Sequence, residues 1–183
     1  MNRFILCLLT FLFSINLNAV EIISGSLNVL RNEIKIAISL DCSKCVYKAN
    51  NKDLPFDYFL AKAPRDENWE MKSLEYFVDY FNEKTYNEGL LGFMQKMPCD
   101  AKYEMIIVPK YVYPNGDIKA YAVIKDVING SDIAILSFFA EGDDDDKITL
   151  RDPLKEAGAD IGNLFRKILR GKEIKKDYDD IYY

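Results

Sequence analysis

The chain reads as an α+β protein: a two-layer sandwich with one mainly antiparallel sheet of about five strands and two amphipathic helices on one face. Three observations point there. Between residues 102 and 140, three β-type runs are joined by short turn sequences, so those strands pair antiparallel. Two further segments, near 66–83 and 152–170, repeat apolar residues at spacings of three and four. Each then has one apolar stripe that must be covered, and one sheet face offers the cover.

Residues 20–31 are a lead-in with a short strand. Asn32 to Asp41 (NEIKIAISLD) is a β-type run, with Ile34 and Ile36 on one side and Lys35 on the other. Cys45 to Ala49 is expected as a short returning strand, which makes Ser43-Lys44 a hairpin turn. Asn50-Asn51-Lys52-Asp53 is turn chemistry. A helical turn falls within Leu54 to Ala63, ended by Pro64.

The first long helix is expected to start at Asp66 as N-cap, with Glu67 in its first turn. Met71, Leu74, Phe77, Val78 and Phe81 form its stripe, and Gly89 stops it. Leu90 to Met97 is apolar without a clear period, and Pro98-Cys99-Asp100 breaks it. The next strand runs from Lys102 to Tyr113, where Pro109 implies an edge position or a bulge. Pro114-Asn115-Gly116-Asp117 turns the chain into a strand from Ile118 to Val127, whose Lys119, Tyr121 and Lys125 suit a wet face. Asn129-Gly130 turns it again into Asp132 to Ala140. A polar loop, Glu141 to Lys147, leads to a possible short strand ending at Leu150.

The second long helix is expected from Asp152 as N-cap with Pro153 at the first helical position. Leu154, Ala157, Ile161, Leu164, Phe165 and Ile168 make its stripe, and Gly171 ends it. Gly158 and Gly162 share a face, and their small size is read as letting this helix lie close to the sheet.

Met1 to Ala19 reads as a secretory signal: Arg3, the apolar run Phe4 to Phe13, a polar stretch and Ala19 as the cleavage point. The apolar run is too short to span a bilayer. No Cys stands at the cleavage boundary, so no stable membrane anchor is expected after cleavage. Residues 20–171 then form one domain, and 172–183 a charged tail rich in Tyr.

The formal net charge is −5, with no basic stripe, which argues against nucleic acid as a partner. The chain has no His, so Ser-His and Cys-His nucleophile pairs and HExxH zinc sites are excluded. Neither GxGxxG nor GxxxxGK[ST] occurs, and no cofactor is expected. Carboxylates, Lys, Tyr and Cys remain for any chemistry.

Cys42-Ser43-Lys44-Cys45 admits a dithiol exchange site, half a zinc site or a structural disulfide. Exchange chemistry wants the motif at a helix N-terminus, whereas Val46 to Asn51 is β- or turn-like. Zinc wants four ligands. Across a hairpin turn the two Cα atoms lie about 5.5 Å apart, inside the disulfide window. An oxidising destination favours that bond. Cys99 with one of the pair is the alternative. Asp143 to Asp146 lacks the internal Gly and distal Glu of a calcium loop and reads as solvated.

The stretches KYEMIIVPKYVYPNGDIKAYAVIKD and GSDIAILSFFAEGDDDDKITLRDPLKEAGADIGNLFRKIL resemble uncharacterised exported bacterial domains with a TBP-like arrangement. The pattern is a meander, a polar loop, then a helix of A-G-x-x-x-G type, here Ala157 to Gly162. The strand-helix-meander-helix order is also similar to the TolB N-terminal domain and the penicillin-binding-protein activator lipoproteins. The resemblance implies envelope work through protein contacts, without catalysis. The expected function is therefore an exported, non-enzymatic domain contacting a protein partner through its sheet face or its Tyr-rich tail. A competing expectation is a carboxylate hydrolase acting on glycan, which needs a pocket holding two acids about 5–10 Å apart. A third is thiol–disulfide exchange with Cys42 exposed at a helix start.

Overall fold

Alternation and turn chemistry agree best in the meander, and there the expected strands form. In the computed structural model, which describes residues 20–62, 68–94, 100–142 and 150–170, these strands are β6 (Tyr103–Val112), β7 (Ile118–Asp126) and β8 (Asp132–Ala140). Before them come β1 (Glu21–Gly25), β2 (Lys35–Leu40), β3 (Val46–Ala49), β4 (Lys52–Pro55) and β5 (Leu91–Met94). The helices are α1 (Asp57–Leu60), α2 (Trp69–Thr85) and α3 (Arg151–Leu169). The signal-like Met1 to Ala19, Pro64, Asp66, Cys99, Asp143 to Asp146, Gly171 and the tail 172–183 lie outside the described residues.

One sheet of eight strands, rather than about five, holds the described residues together. Its order is β1-β8-β7-β6-β2-β5, with β3 also on β6 and β4 on β3. The meander half is antiparallel, whereas β2 runs parallel to both β5 and β6. The architecture is thus mixed α+β with one open sheet.

Cys45 does not open a returning strand. β2 pairs with the first half of β6, Ala37 opposite Glu104 through Leu40 opposite Ile107. The chain then steps out over Asp41 to Cys45 and β3 resumes along the same edge of β6, Val46 opposite Tyr111. Continuing in the same direction keeps Tyr47 and Ala49 on the covered side with Ile36 and Ile38. The return comes later, at Asn50-Asn51, where φ is 51° and 58°. Two consecutive positive φ values make the tight hairpin that Asn tolerates well. Pro109 sits at a register shift inside β6, a central strand, so it marks a bulge and not an edge.

The covered face is built from Met105, Ile107, Ile118, Ala120, Ala122, Ile124, Leu136 and Phe138, all at most 2% exposed. On it lie Leu74, Phe77, Val78 and Phe81 of α2 and Leu154, Ala157, Ile161, Phe165 and Ile168 of α3. Met71 is 38% exposed and leaves the expected stripe. α3 starts one residue before the expected cap: Leu150, not Asp152, precedes it, and Asp152 stands in the first turn. Leu150 and Leu154 both enter the core one turn apart, and the Leu154 N–H donates to the Leu150 carbonyl at 3.1 Å. Leu150 itself is not in a strand.

The glycine face of α3 meets α2 and not the sheet. A Cβ at Gly158 would stand 2.3 Å from the Phe77 carbonyl oxygen, and one at Gly162 3.0 Å from that of Phe81. The crossing is completed by the Phe81 and Phe165 rings, edge to face at 5.2 Å.

Candidate functional site

The long helices occupy one face of the sheet, and the alternation in β6, β7 and β8 leaves every second residue on the other. Cross-strand register places these residues in rows. One row is Ser39, Ile106, Val123 and Ile135. The next is Val108, Tyr121, Ser137 and Glu21. The last is Val46, Tyr111, Lys119 and Phe139. The aliphatic and aromatic members of these rows are half-buried. At the β5 edge Phe93 is 46% exposed, opposite Ala37.

The last row carries an aromatic and cationic end. Lys48 Nζ lies 4.4 Å above the Tyr111 ring. Lys110 Nζ lies 5.2 Å from the same ring and 5.9 Å from that of Tyr121. Tyr113 and Phe139 pack at 6.4 Å beside them. Lys48 also pairs with Asp53 across the β3–β4 hairpin. Its ammonium is held above the ordinary lysine value, chiefly by the Asp53 hydrogen bond, with Tyr111 and Tyr113 adding to it. Lys119 and Tyr121 stand on the wet face that alternation along β7 assigns them. Lys48 and Tyr111 were not legible as part of it: Lys48 arrives only because β3 resumes beside β6, and Tyr111 only because the bulge after Pro109 sets both Lys110 and Tyr111 on this face opposite Lys119.

The Cys pair lies apart from this end, in the step between β2 and β3. The Cys45 N–H donates to the Cys42 carbonyl at 3.0 Å, and the Asp41 carboxylate accepts the Ser43 N–H at 2.9 Å. Both thiols are free. Burial pushes both thiols up, Cys45 to about 12 and Cys42 further, with Cys45 and then Glu70 adding to the Cys42 shift. Exchange chemistry needs the opposite direction and a helix start; here the pair sits on a turn.

A recess of about 440 Å³ is lined by Tyr80, Glu141, Gly142, Asp152, Lys155, Glu156 and Ala159. Burial, chiefly, raises the Glu156 carboxyl. Its Oε2 is taken by the Glu141 N–H at 2.6 Å, while Asp117 Oδ1 takes the Gly142 N–H at 2.8 Å. These acids tie down the chain as it leaves β8, which is structural work. Among the described residues no group of His, Cys, Asp and Glu is placed to hold a metal ion.

No family model matches the chain, and no curated protein matches it. The fold is similar to that of a PelC dodecamer from Paraburkholderia phytofirmans, at 9% identity and a TM-score of 0.44, over 78% of this chain and 97% of that one. A substituted PelC dodecamer from the same organism gives 11% identity and 0.46, over 82% and 98%. The crystal structure of an uncharacterized protein gives 9% and 0.43, over 73% and 90%. Likeness at this level says nothing of activity, assembly or ligand.

Proposed function

We propose that the protein is an exported, non-enzymatic interaction domain of the TBP-like envelope kind, and that a partner protein sits on the open sheet face. The observation that supports this most is the face itself: rows of Ile106, Val108, Val123, Ile135, Tyr121, Tyr111 and Phe139 that the long helices do not cover. Six strands about 4.8 Å apart and roughly 25 Å long give a face on the order of 700 Å². That is close to the ~800 Å² that each partner contributes to a stable protein interface. The mixture also fits, with aromatic rings and aliphatic rows at the centre and Lys and Glu around them. Export rests on the composition of Met1 to Ala19.

Val108→Asp with Val123→Asp tests the face, because both side chains point away from the core. The variant is expected to keep the circular dichroism and melting point of the parent while losing the proteins that crosslink to the parent in envelope extract. Retention of the same crosslinked proteins would overturn the assignment. Export is tested separately by the N-terminal sequence of the chain in the envelope fraction. Val20 is the expected first residue; an intact Met1 on cytosolic protein would refute it.

A further inference from the structure

We infer that Cys42 and Cys45 join in a disulfide that closes the step between β2 and β3. The inference rests on the export reading only for the source of its oxidant. The turn is already made without the sulfurs: the Cys45 N–H reaches the Cys42 carbonyl at 3.0 Å, and Asp41 holds Ser43 from the other side at 2.9 Å. A four-residue turn brings its end Cα atoms within about 7 Å. A disulfide spans Cα separations of about 4.4–6.8 Å, so the backbone needs no rearrangement. Both side chains are turned inward, Cys45 at 6% exposure and Cys42 packed against the core.

The position of the bond gives it a consequence. β3 touches β6 through only two register pairs, Val46 with Tyr111 and Tyr47 with Val112. The β3–β4 hairpin carries Lys48 to its seat above Tyr111. Clamping Cys45 to Cys42 fixes the point at which β3 re-enters the sheet, and with it the hairpin. The chemistry is an exchange with a disulfide-bearing oxidant. Each thiol gives up its proton, two electrons pass to the incoming disulfide, which leaves as two thiols, and one sulfur–sulfur bond forms. Burial holds both thiols protonated in the folded chain, so the exchange belongs to folding, before the turn packs.

The full chain, reduced in denaturant and refolded in a glutathione redox buffer, is alkylated and digested with trypsin. Cleavage after Lys44 separates the two cysteines in sequence. The expected result is a pair of fragments, one ending at Lys44 and one beginning at Cys45, that remain joined until reductant is added, with Cys99 alkylated. Alkylation of both Cys42 and Cys45, or a fragment pairing either with Cys99, would overturn the inference whatever the export test gives. The Cys42→Ser, Cys45→Ser double variant is expected to fold but to exchange amide hydrogens over 46–55 several-fold faster than the oxidised parent. Equal exchange would refute the clamp.

Discussion

Gly158→Ala is the sharpest test of the helix layer. In an exposed helix this change helps by about 1 kcal/mol, because glycine is the poorer helix former. At Gly158 the added Cβ would stand 2.3 Å from the carbonyl oxygen of Phe77 and 3.0 Å from its carbonyl carbon and Cα. All three are backbone atoms of α2 and have no rotamer to give way. The helices must part by about 1 Å, which forfeits roughly a quarter to a half of each dispersion contact across the crossing. Overpacking of this kind costs about 1–3 kcal/mol, and a backbone clash belongs at the upper end. The net is a loss of about 2 kcal/mol, or about 4–8 °C in melting temperature for a domain of this size. Gly162→Ala is the internal control. Its Cβ would meet the Lys84 Cβ at 2.9 Å and the Phe81 oxygen at 3.0 Å, so a smaller displacement suffices. Thermal melts by circular dichroism compare the two. A Gly158→Ala protein that melts at or above the parent, or a Gly162→Ala protein that loses more, would refute the close crossing of α2 on α3.

Burial raises the Asp160 carboxyl above its usual 3.8. A carboxyl raised in the folded state favours folding fully only below its unfolded value, and that support is lost as pH rises through the folded value. Charged Asp160 is therefore a burden at neutral pH, and Asp160→Asn is expected to raise the melting point slightly at pH 7 and not at all below the unfolded value of 3.8. A gain that grows on acidification would contradict this. Asn51→Ala places a Cβ-bearing residue without a turn-forming side chain at φ 58°. It is expected to lower stability by about 1 kcal/mol, while Asn51→Gly holds or raises it. Urea titration reads both, and equal midpoints would exclude the proposed hairpin geometry.

Local chemistry carried much of the fold into the sequence. Asp132 to Ala140 is read with its observed ends because alternation and the Asn129-Gly130 turn agree there. Gly89 ends its helical segment at φ 83°, where a side chain would be strained. The parallel half was illegible for a physical reason. Ala37 and Glu104 are brought together by packing of distant segments, and no turn between them announces it. β5 is clearer still. Its Gly92 is held by Asn82 of α2 through both amide groups, at 2.7 and 3.0 Å, and lies under Ile38 and Phe81. Nothing local to Leu91–Met94 encodes that. The period of four in Gly158 and Gly162 showed that they share a face, but spacing alone does not say which neighbour that face meets. The same limit applied to the open face: Lys110, Lys119 and Tyr121 follow from alternation, Lys48 and Tyr111 only from register.

The two ends of the open face offer different chemistry, and the difference bears on how a partner would engage it. Toward β5 and β2 the polar groups are matched within the sheet: Glu104 accepts the Ser39 hydroxyl at 2.7 Å and lies opposite Lys125. At the other end Lys48 is partly answered by Asp53, but Lys110 is held on the rings of Tyr111 and Tyr121. A ring holds an ammonium by its quadrupole and leaves its charge in place. In a chain of net charge −5 that leaves a positive island beside an apolar field. Exposed charges act at a distance and govern orientation and the rate of encounter, whereas desolvated apolar rows govern how long a complex lasts. Acidic groups on a partner would therefore be drawn to Lys110 and Lys119, and its apolar side chains would settle over Ile106, Val108, Val123 and Ile135. The β3–β4 hairpin stands at the positive end, so whatever fixes that hairpin also fixes where Lys48 meets Tyr111, and would set the direction from which the proposed partner is guided in.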